Sequence, residues 1–412
     1  MKIIHTSDWH LGHRLLREER TDEHARFLAW LTELIAAERP DALIISGDVF
    51  DTYNPPLASQ RLYFDFLQGI QGMCRTVVTA GNHDSGALID TTSGLLERIG
   101  VCAIGEMREP EEEVTEIKDA DGETLAVCCA VPFLRSYDLV QSVAGKTPEE
   151  RKNLWEEAFH AHYARAAEAA EKLRAGRDIP LIATGHCYVL PEDGGEGTVG
   201  MIDGVSAGAF PDSIDYLALG HIHACGACGG KENFRYSGSP LCTSFETAEQ
   251  RKCVLVVTFD GKALEAVREV EVPRFRKIVR LEGSLDSIEE RMAELLSQGD
   301  EALVDIHCTD AVNADEIRAR IAVPDGAAVK VLRSRAPNAP GRAPYRVYDA
   351  EEWTPRQVFD RILEDKGITG AEADGLRQTY IESLEATERG TKAEDVADSI
   401  VEECYETVQT EI

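Results

Sequence analysis

The chain has 412 residues and a formal net charge of −31, with 74 acidic residues against 43 basic ones. Two or three domains are expected at this length, the 43% apolar content fills a large core, and no run reaches the roughly 18 apolar residues of a membrane span. The acid excess excludes a chain that grips polyanions over its whole surface, so a phosphate substrate would need metal ions or a partner to supply positive charge.

The first apolar run, Lys2–Thr6, reads as a buried strand and leads into Asp8-Trp9-His10. Thr21 predicts an N-cap for a helix to Glu38, with Phe27, Leu28, Leu31, Leu34 and Ile35 on one face. Pro40 stops it, and the strand Ala42–Ser46 follows, ending in Gly47-Asp48. This is a strand–helix–strand unit of the right-handed kind. After a polar loop, a helix carries Tyr63, Phe64 and Leu67 inward. The strand 76–80 ends in Gly81-Asn82-His83-Asp84. Strands 114–117 and 124–130 flank Asp121-Gly122, a hairpin signal. A long helix over 148–175 places Trp155, Phe159 and Tyr163 at helical spacing, with His160 and His162 expected in solvent. Strands 180–184 and 214–219 end in Gly185-His186 and Gly220-His221-Ile222-His223. The strand 253–259 closes this part, which spans residues 1–262.

From residue 274 to 335 the pattern is strand, helix, strand, helix, strand, a small separate βαβαβ domain. Arg333 and Arg335 at its end read as solvated. Residues 336–350, rich in Pro, Ala and Gly, predict a linker, and 351–412 an acidic helical tail. Thr354-Pro355 starts a helix there, with Val358, Phe359, Ile362 and Leu363 apolar. Met1 leads straight into the first strand with no basic-then-apolar leader, so a cytoplasmic protein with mostly reduced cysteines is expected. Cys225 and Cys228 have metal-like spacing, but no second pair is evident and they read as loop or core cysteines.

Five strand ends thus carry Asp8, His10, Asp48, Asn82, His83, His186, His221 and His223. In sheets of short buried strands the chemistry lies beyond the carboxyl ends, so these residues converge on one edge. Imidazole, carboxylate and amide oxygen together suit manganese, iron or zinc better than calcium. The set is too large for one tetrahedral ion and about right for two, with Asp48 the natural bridge.

These five motifs resemble the signature of the calcineurin-like metallophosphoesterases. Thr6-Ser7-Asp8-Trp9-His10-Leu11-Gly12, Ser46-Gly47-Asp48-Val49-Phe50-Asp51 and Tyr236-Ser237-Gly238-Ser239-Pro240 narrow the resemblance to the SbcD family of bacterial nucleases. The resemblance implies an α/β fold: a β-sandwich flanked by helices, then the βαβαβ unit as a DNA-capping domain, then the helical tail. It implies two divalent metal ions, manganese first. Asp8, His10, Asp48 and His223 would hold one, and Asp48, Asn82, His186 and His221 the other. His83, oriented by Asp84, would serve as the acid. The implied function is exonuclease and endonuclease action on DNA in repair, recombination and replication. The implied partner is an SbcC ATPase bound through the C-terminal helices in a heterotetramer. A homodimer through the apolar first helices is also expected, and no membrane. The alternative is a general phosphoesterase acting on small phosphodiesters or phosphoproteins.

Overall fold

Alternation along the first strand decides the architecture. In the computed structural model Ile3 packs between two sheets, while its neighbour Ile4 packs on the opposite face among helices. The structure describes residues 1–140, 146–191, 198–199, 202–310, 312–324 and 326–335, and nine helical residues between 359 and 381.

The principal elements are β1 (Lys2–Thr6), α1 (Thr21–Glu38), β2 (Ala42–Ser46), α2 (Leu57–Gly69), β3 (Arg75–Thr79), α3 (Gly86–Glu97), β4 (Val101–Ile104), β5 (Val114–Lys118), β6 (Thr124–Cys129), α4 (Pro148–Arg174), β7 (Leu181–His186), β8 (Tyr216–Gly220), β9 (Gly226–Cys228), β10 (Lys231–Tyr236), β11 (Cys253–Asp260), β12 (Ala263–Glu271), β13 (Lys277–Gly283), α5 (Leu285–Gln298), β14 (Ala302–Cys308), α6 (Ala314–Arg320) and β15 (Val329–Arg335). One sheet runs β12-β11-β1-β2-β3-β4 and the other β9-β10-β8-β7-β6-β5. Strands β1 to β4 are parallel, as are β6, β7 and β8, so within each sheet their carboxyl ends share an edge.

Between the sheets Ile3, Ile44 and Val77 meet Ile182, Tyr216 and Ala218, all without exposed surface. Outside, Phe27, Leu31, Tyr63 and Leu67 from α1 and α2 cover the first sheet, and Trp155, Phe159 and Tyr163 from α4 cover the second. Each fully buried large apolar side chain contributes about 1.5–3 kcal/mol. A strand with helices on one face and a sheet on the other must be apolar throughout, which is why β2 and β8 lack polar alternation.

Several expectations shift. Helix α1 has Arg20 at its cap with no side-chain cap bond, and Thr21 is the first helical residue. Arg20 instead grips Glu23 at 2.6 Å. In α2 Phe66 rather than Phe64 completes the buried face. His162 is buried, with Nε2 2.7 Å from Glu113 Oε2, because α4 lays it against the short turn Pro110–Glu113; His160 stays exposed. The edge strand β12 is mostly exposed, so its sequence carries charges where burial would have given an apolar signal.

The β13–α5–β14–α6–β15 module follows the expected order, its three strands parallel. Leu281, Ile288, Met292, Val304 and Ile306 form its core. Ile278 and Leu303 pack with Leu15 and Phe245, and Arg26 pairs with Glu301 at 3.0 Å. Residues Met1–Arg342 form one compact unit and Ala343–Ile412 a second. Within the second, the Phe359 ring stacks on Tyr380 at 4.2 Å and Leu363 is buried. The linker and most of the tail lie outside the described residues. Among the described residues no helix is long and apolar enough to cross a membrane.

Candidate metal centre

The loops after β1 and β2 are stitched together by their main chains. Asp8 N donates to Gly47 O (3.0 Å), His10 N to Asp48 O (3.0 Å) and Leu11 N to Val49 O (2.9 Å). Trp9 anchors the first loop: its indole N–H donates to Thr6 Oγ1 (2.9 Å), and its ring meets Phe27 and Phe66 edge-on. That anchor turns Asp8 and His10 away from the core. The cost is local strain. Asp8, His10, Asp48 and His221 all have φ between +47° and +92°, a conformation costing on the order of 1–3 kcal/mol each. Gly47 and Gly81 are needed for closeness: a Cβ on Gly47 would overlap the His186 ring, and one on Gly81 would overlap Asp48.

The strand ends then meet. The ligand atoms of Asp8, His10 and His223 lie within 4.8 Å of one another, as do those of Asp8, Asp48 and His186, and those of His10, Asp48 and His83. Asp48 Oδ2 is 3.2 Å from His186 Nε2 and 3.6 Å from His10 Nε2, so it lies between the two groups. Asn82 Oδ1 is 3.1 Å from His186 Nε2. His221 stacks edge-on to His186 at 5.4 Å, and its backbone N–H donates to Asp8 Oδ1 (2.9 Å). Ser7 and Ser237 complete the support of Asp8: the Ser7 hydroxyl donates to Asp8 Oδ2 and lies 2.8 Å from the Ser237 hydroxyl.

The chemistry of these contacts fits a cation. His186 Nδ1 donates to Ser46 O at 3.0 Å, which leaves Nε2 as a lone pair. That lone pair faces Asn82 Oδ1 and Asp48 Oδ2, both acceptors. His10 Nε2 and His223 Nε2 likewise face each other at 3.1 Å. Acceptors crowd acceptors, and only a proton or a metal ion between them relieves it. Burial opposes charge on His10 and His186, yet Asp51, Asp48 and Asp8 push His10 up to about 9, and Asp48 and Asp8 do the same to His186. His223 is driven down by burial and by neighbouring cations. Burial pushes Asp8 up; it opposes charge on Asp48 too, but His186, His83 and His10 together hold that carboxyl well down.

His83 stands at the exposed rim. Its backbone N–H donates to Asp48 Oδ1 (2.9 Å). Its ring Nδ1 is 2.8 Å from the Asp51 carbonyl oxygen, which corrects the expectation that Asp84 orients it. Asp84 is fully buried, and its oxygens accept from the N–H groups of Val49 (3.1 Å), Phe50 (2.8 Å) and Gly81 (2.8 Å). It is a brace for two loops. The short side chain, one residue past His83 in a tight turn, points inward where three N–H groups compete for it.

Sequence reasoning missed three neighbours. Asp51 lies 3.3 Å from His10 Nδ1. Thr243 Oγ1 is 3.1 Å from His223 Nδ1. Lys252 is buried and donates to the His223 carbonyl (3.1 Å) and Ser239 Oγ (3.1 Å), bracing the last ligand loop. Asp51 was visible as a carboxylate three residues after Asp48; Thr243 and Lys252 carry no motif. Cys225 and Cys228 do not pair with each other for a metal: Cys225 groups with Cys253 and Glu269, and Cys228 faces the Phe234 carbonyl.

Comparison with known proteins agrees with this geometry. Residues 1–225 match the calcineurin-like phosphoesterase model, and 274–367 match the model described as the type 5 capsule protein repressor C-terminal domain. The SbcD chain of the nuclease SbcCD from Escherichia coli K12 is 33% identical over 93% of this chain and 98% of its own length. Those of Rhodobacter capsulatus and Bacillus subtilis are 33% and 34% identical, covering 68% and 66% of this chain and 71% and 69% of their own. Five strand ends that gather two carboxylates, an asparagine and five histidines, in a chain 33% identical to the Escherichia coli relative over 93% of its length, place it in the calcineurin-like phosphoesterases, in the SbcD family of SbcCD nuclease chains.

Proposed function

We propose that the chain is a metal-dependent DNA nuclease that hydrolyses phosphodiester bonds as an exonuclease and endonuclease in repair, recombination and replication. The observation that carries the reading is the set of mutually facing acceptors around Asp48, which needs cations. Asp8, His10, Asp48 and His223 would hold one ion, and Asp48, Asn82, His186 and His221 the other. Bound there, two divalent ions, manganese first, would supply a nucleophilic water at neutral pH and neutralise charge building on the phosphate.

The chain's own residues do the rest. Ser46 O and Thr243 fix the rings of His186 and His223. Exposed His83, its Nδ1 engaged by a carbonyl, presents Nε2 toward a phosphate above the site and can protonate the leaving oxygen there. Residues 274–335 would cap and position DNA. Two of their arginines are occupied, since Arg280 and Arg333 both reach Asp305. Arg333 is therefore not the solvated cation expected, and with a net charge of −31 the grip on DNA falls to the ions and a partner. An SbcC ATPase bound through residues 351–412, in a cytoplasmic heterotetramer, fits that need. A homodimer through the first helices would cover Leu57 of α2 and Leu95 of α3, which are 81% and 69% exposed.

The test incubates the purified chain and manganese with end-labelled hairpin DNA, a phosphopeptide or a cyclic nucleotide, with and without the ATPase chain and ATP. Cleavage of DNA that disappears in Asp48→Ala supports the nuclease. Turnover of the small substrates alone moves the protein to a general phosphoesterase.

A further inference from the structure

The contacts of Asp51 join two histidines that belong to different tasks. The residue lies in the loop between β2 and α2, and its backbone N–H donates to Leu11 O at 3.3 Å. That bond continues the stitching that holds the Asp8 and Asp48 loops together. From this fixed backbone the side chain and the carbonyl leave in different directions. The carboxylate Oδ1 approaches His10 Nδ1 to 3.3 Å, and both groups are largely buried, with side chains 23% and 4% exposed. His10 Nδ1 has no aligned hydrogen-bond partner among the described residues, so this carboxylate is the group that selects which ring nitrogen keeps the proton. The carbonyl oxygen, meanwhile, is 2.8 Å from His83 Nδ1. The two rings sit edge to face with centroids 4.9 Å apart.

We infer that Asp51 is a positioning residue that sets both histidines at once. Its carboxylate keeps the proton of His10 on Nδ1, so that Nε2 is the metal-facing lone pair. Its main-chain carbonyl keeps the proton of His83 on Nδ1 when that ring is neutral, so that Nε2 faces substrate. The side chain and the main chain of one residue therefore serve separable functions. A substitution at Asp51 keeps the carbonyl and loses the carboxylate, so it damages metal binding and spares the work of His83. Asp84, whose oxygens are consumed by three backbone N–H groups, has no such reach. This inference rests on the metal reading of the site.

The test compares the intact chain with Asp51→Asn, Asp51→Ala and His10→Ala. Manganese affinity is read by calorimetry, the His10 tautomer by nitrogen-15 resonance of the metal-free protein at a pH above the value of about 9 at which that ring becomes neutral, and kcat at saturating manganese. Loss of such a carboxylate behind a ligand histidine weakens metal affinity about 10–100-fold. Asp51→Ala is expected to show that loss together with a mixed His10 tautomer. Asp51→Asn, which still offers an acceptor, should keep the tautomer and lose less affinity. In both, kcat at saturating manganese should return to within about threefold of the parent, unlike the loss of about a hundredfold or more expected on removing an acid group. Unchanged affinity and tautomer in Asp51→Ala would overturn the inference. If that variant does not fold, Asp51→Asn decides it by affinity alone: parent affinity refutes the role of the carboxylate. If His10→Ala itself binds manganese as the parent does, the metal reading fails first, and the two failures are told apart.

Discussion

Two buried acidic clusters in this chain have opposite designs. In the C-terminal module Asp305 is fully buried, and every oxygen is answered: Arg333 donates at 2.9 and 2.8 Å, and Arg280 at 3.3 Å. At the strand ends Asp8 and Asp48 are as deeply buried, yet the groups around Asp48 are mostly other acceptors, and the backbone there is strained. The first cluster is closed by its own chain. The second is closed only by something brought in. A buried carboxylate is thus no sign of function in itself; the sign is a buried carboxylate whose neighbours need a cation they do not contain.

The largest effects should separate the clusters cleanly. Asp48→Ala removes the oxygen that lies between His10 and His186, so hydrolysis should fall to background and bound manganese should drop, while circular dichroism still shows the native fold. A variant that retains turnover would remove Asp48 from its bridging place. Asp305→Ala should do the reverse. It removes the buried carboxylate shared by Arg280 and Arg333, whose side chains are 25% and 15% exposed, and leaves Arg280 only its pairing with Glu246 among the described residues. Breaking such a pair costs about 3 kcal/mol, the lower end of the usual range because some water reaches the arginines. Urea unfolding would read that loss, and cleavage of a short substrate per folded molecule should be unchanged. Equal unfolding midpoints for variant and parent would show that the closed cluster does not stabilise the module.

A smaller effect sharpens the line inside the open cluster itself. His83→Ala should lower kcat about a hundredfold while leaving manganese affinity alone, because its ring is exposed and its Nδ1 is held by a carbonyl. Equal losses in rate and in metal affinity would make His83 a ligand, as its grouping with His10 and Asp48 also permits.

How much of this was legible before the structure follows from the physics of each residue. The strands were legible because burial on both faces leaves no room for polar alternation, as in Ala42–Ser46. The candidate metal-holding residues were legible because Gly precedes them at four of the five strand ends, and Gly47 and Gly81 are where a side chain could not fit. Strand Ala263–Glu271 was not legible, since an exposed edge imposes no pattern. Nor were the partners of the candidate metal-holding residues. Thr243 and Lys252 reach His223 across distances in sequence that leave no local mark. Asp84 misled for the converse reason: it is adjacent to His83 in sequence and faces the other way.

The gentlest test of the contrast is pH. In the metal-free protein His10 and His186 are held up to about 9 by the carboxylates around them, against an ordinary value of 6.5. A histidine raised on folding stabilises the fold fully below 6.5 and loses that contribution as pH rises through about 9. The melting temperature of the metal-free chain should therefore fall across this window. Manganese needs the same nitrogens neutral, so its apparent affinity should climb there, by up to about tenfold per pH unit for each proton displaced. Calorimetric titrations in two buffers of different ionisation heat would count the protons released. The opposite slopes arise from one cause, the competition of proton and metal for one set of lone pairs. Asp305 takes no part, being held below the usual carboxylate range by Arg333 despite its burial. Asp305→Ala should leave both slopes in place, and Asp48→Ala should flatten both. Slopes unchanged in Asp48→Ala would mean that the protons released come from outside the strand-end cluster.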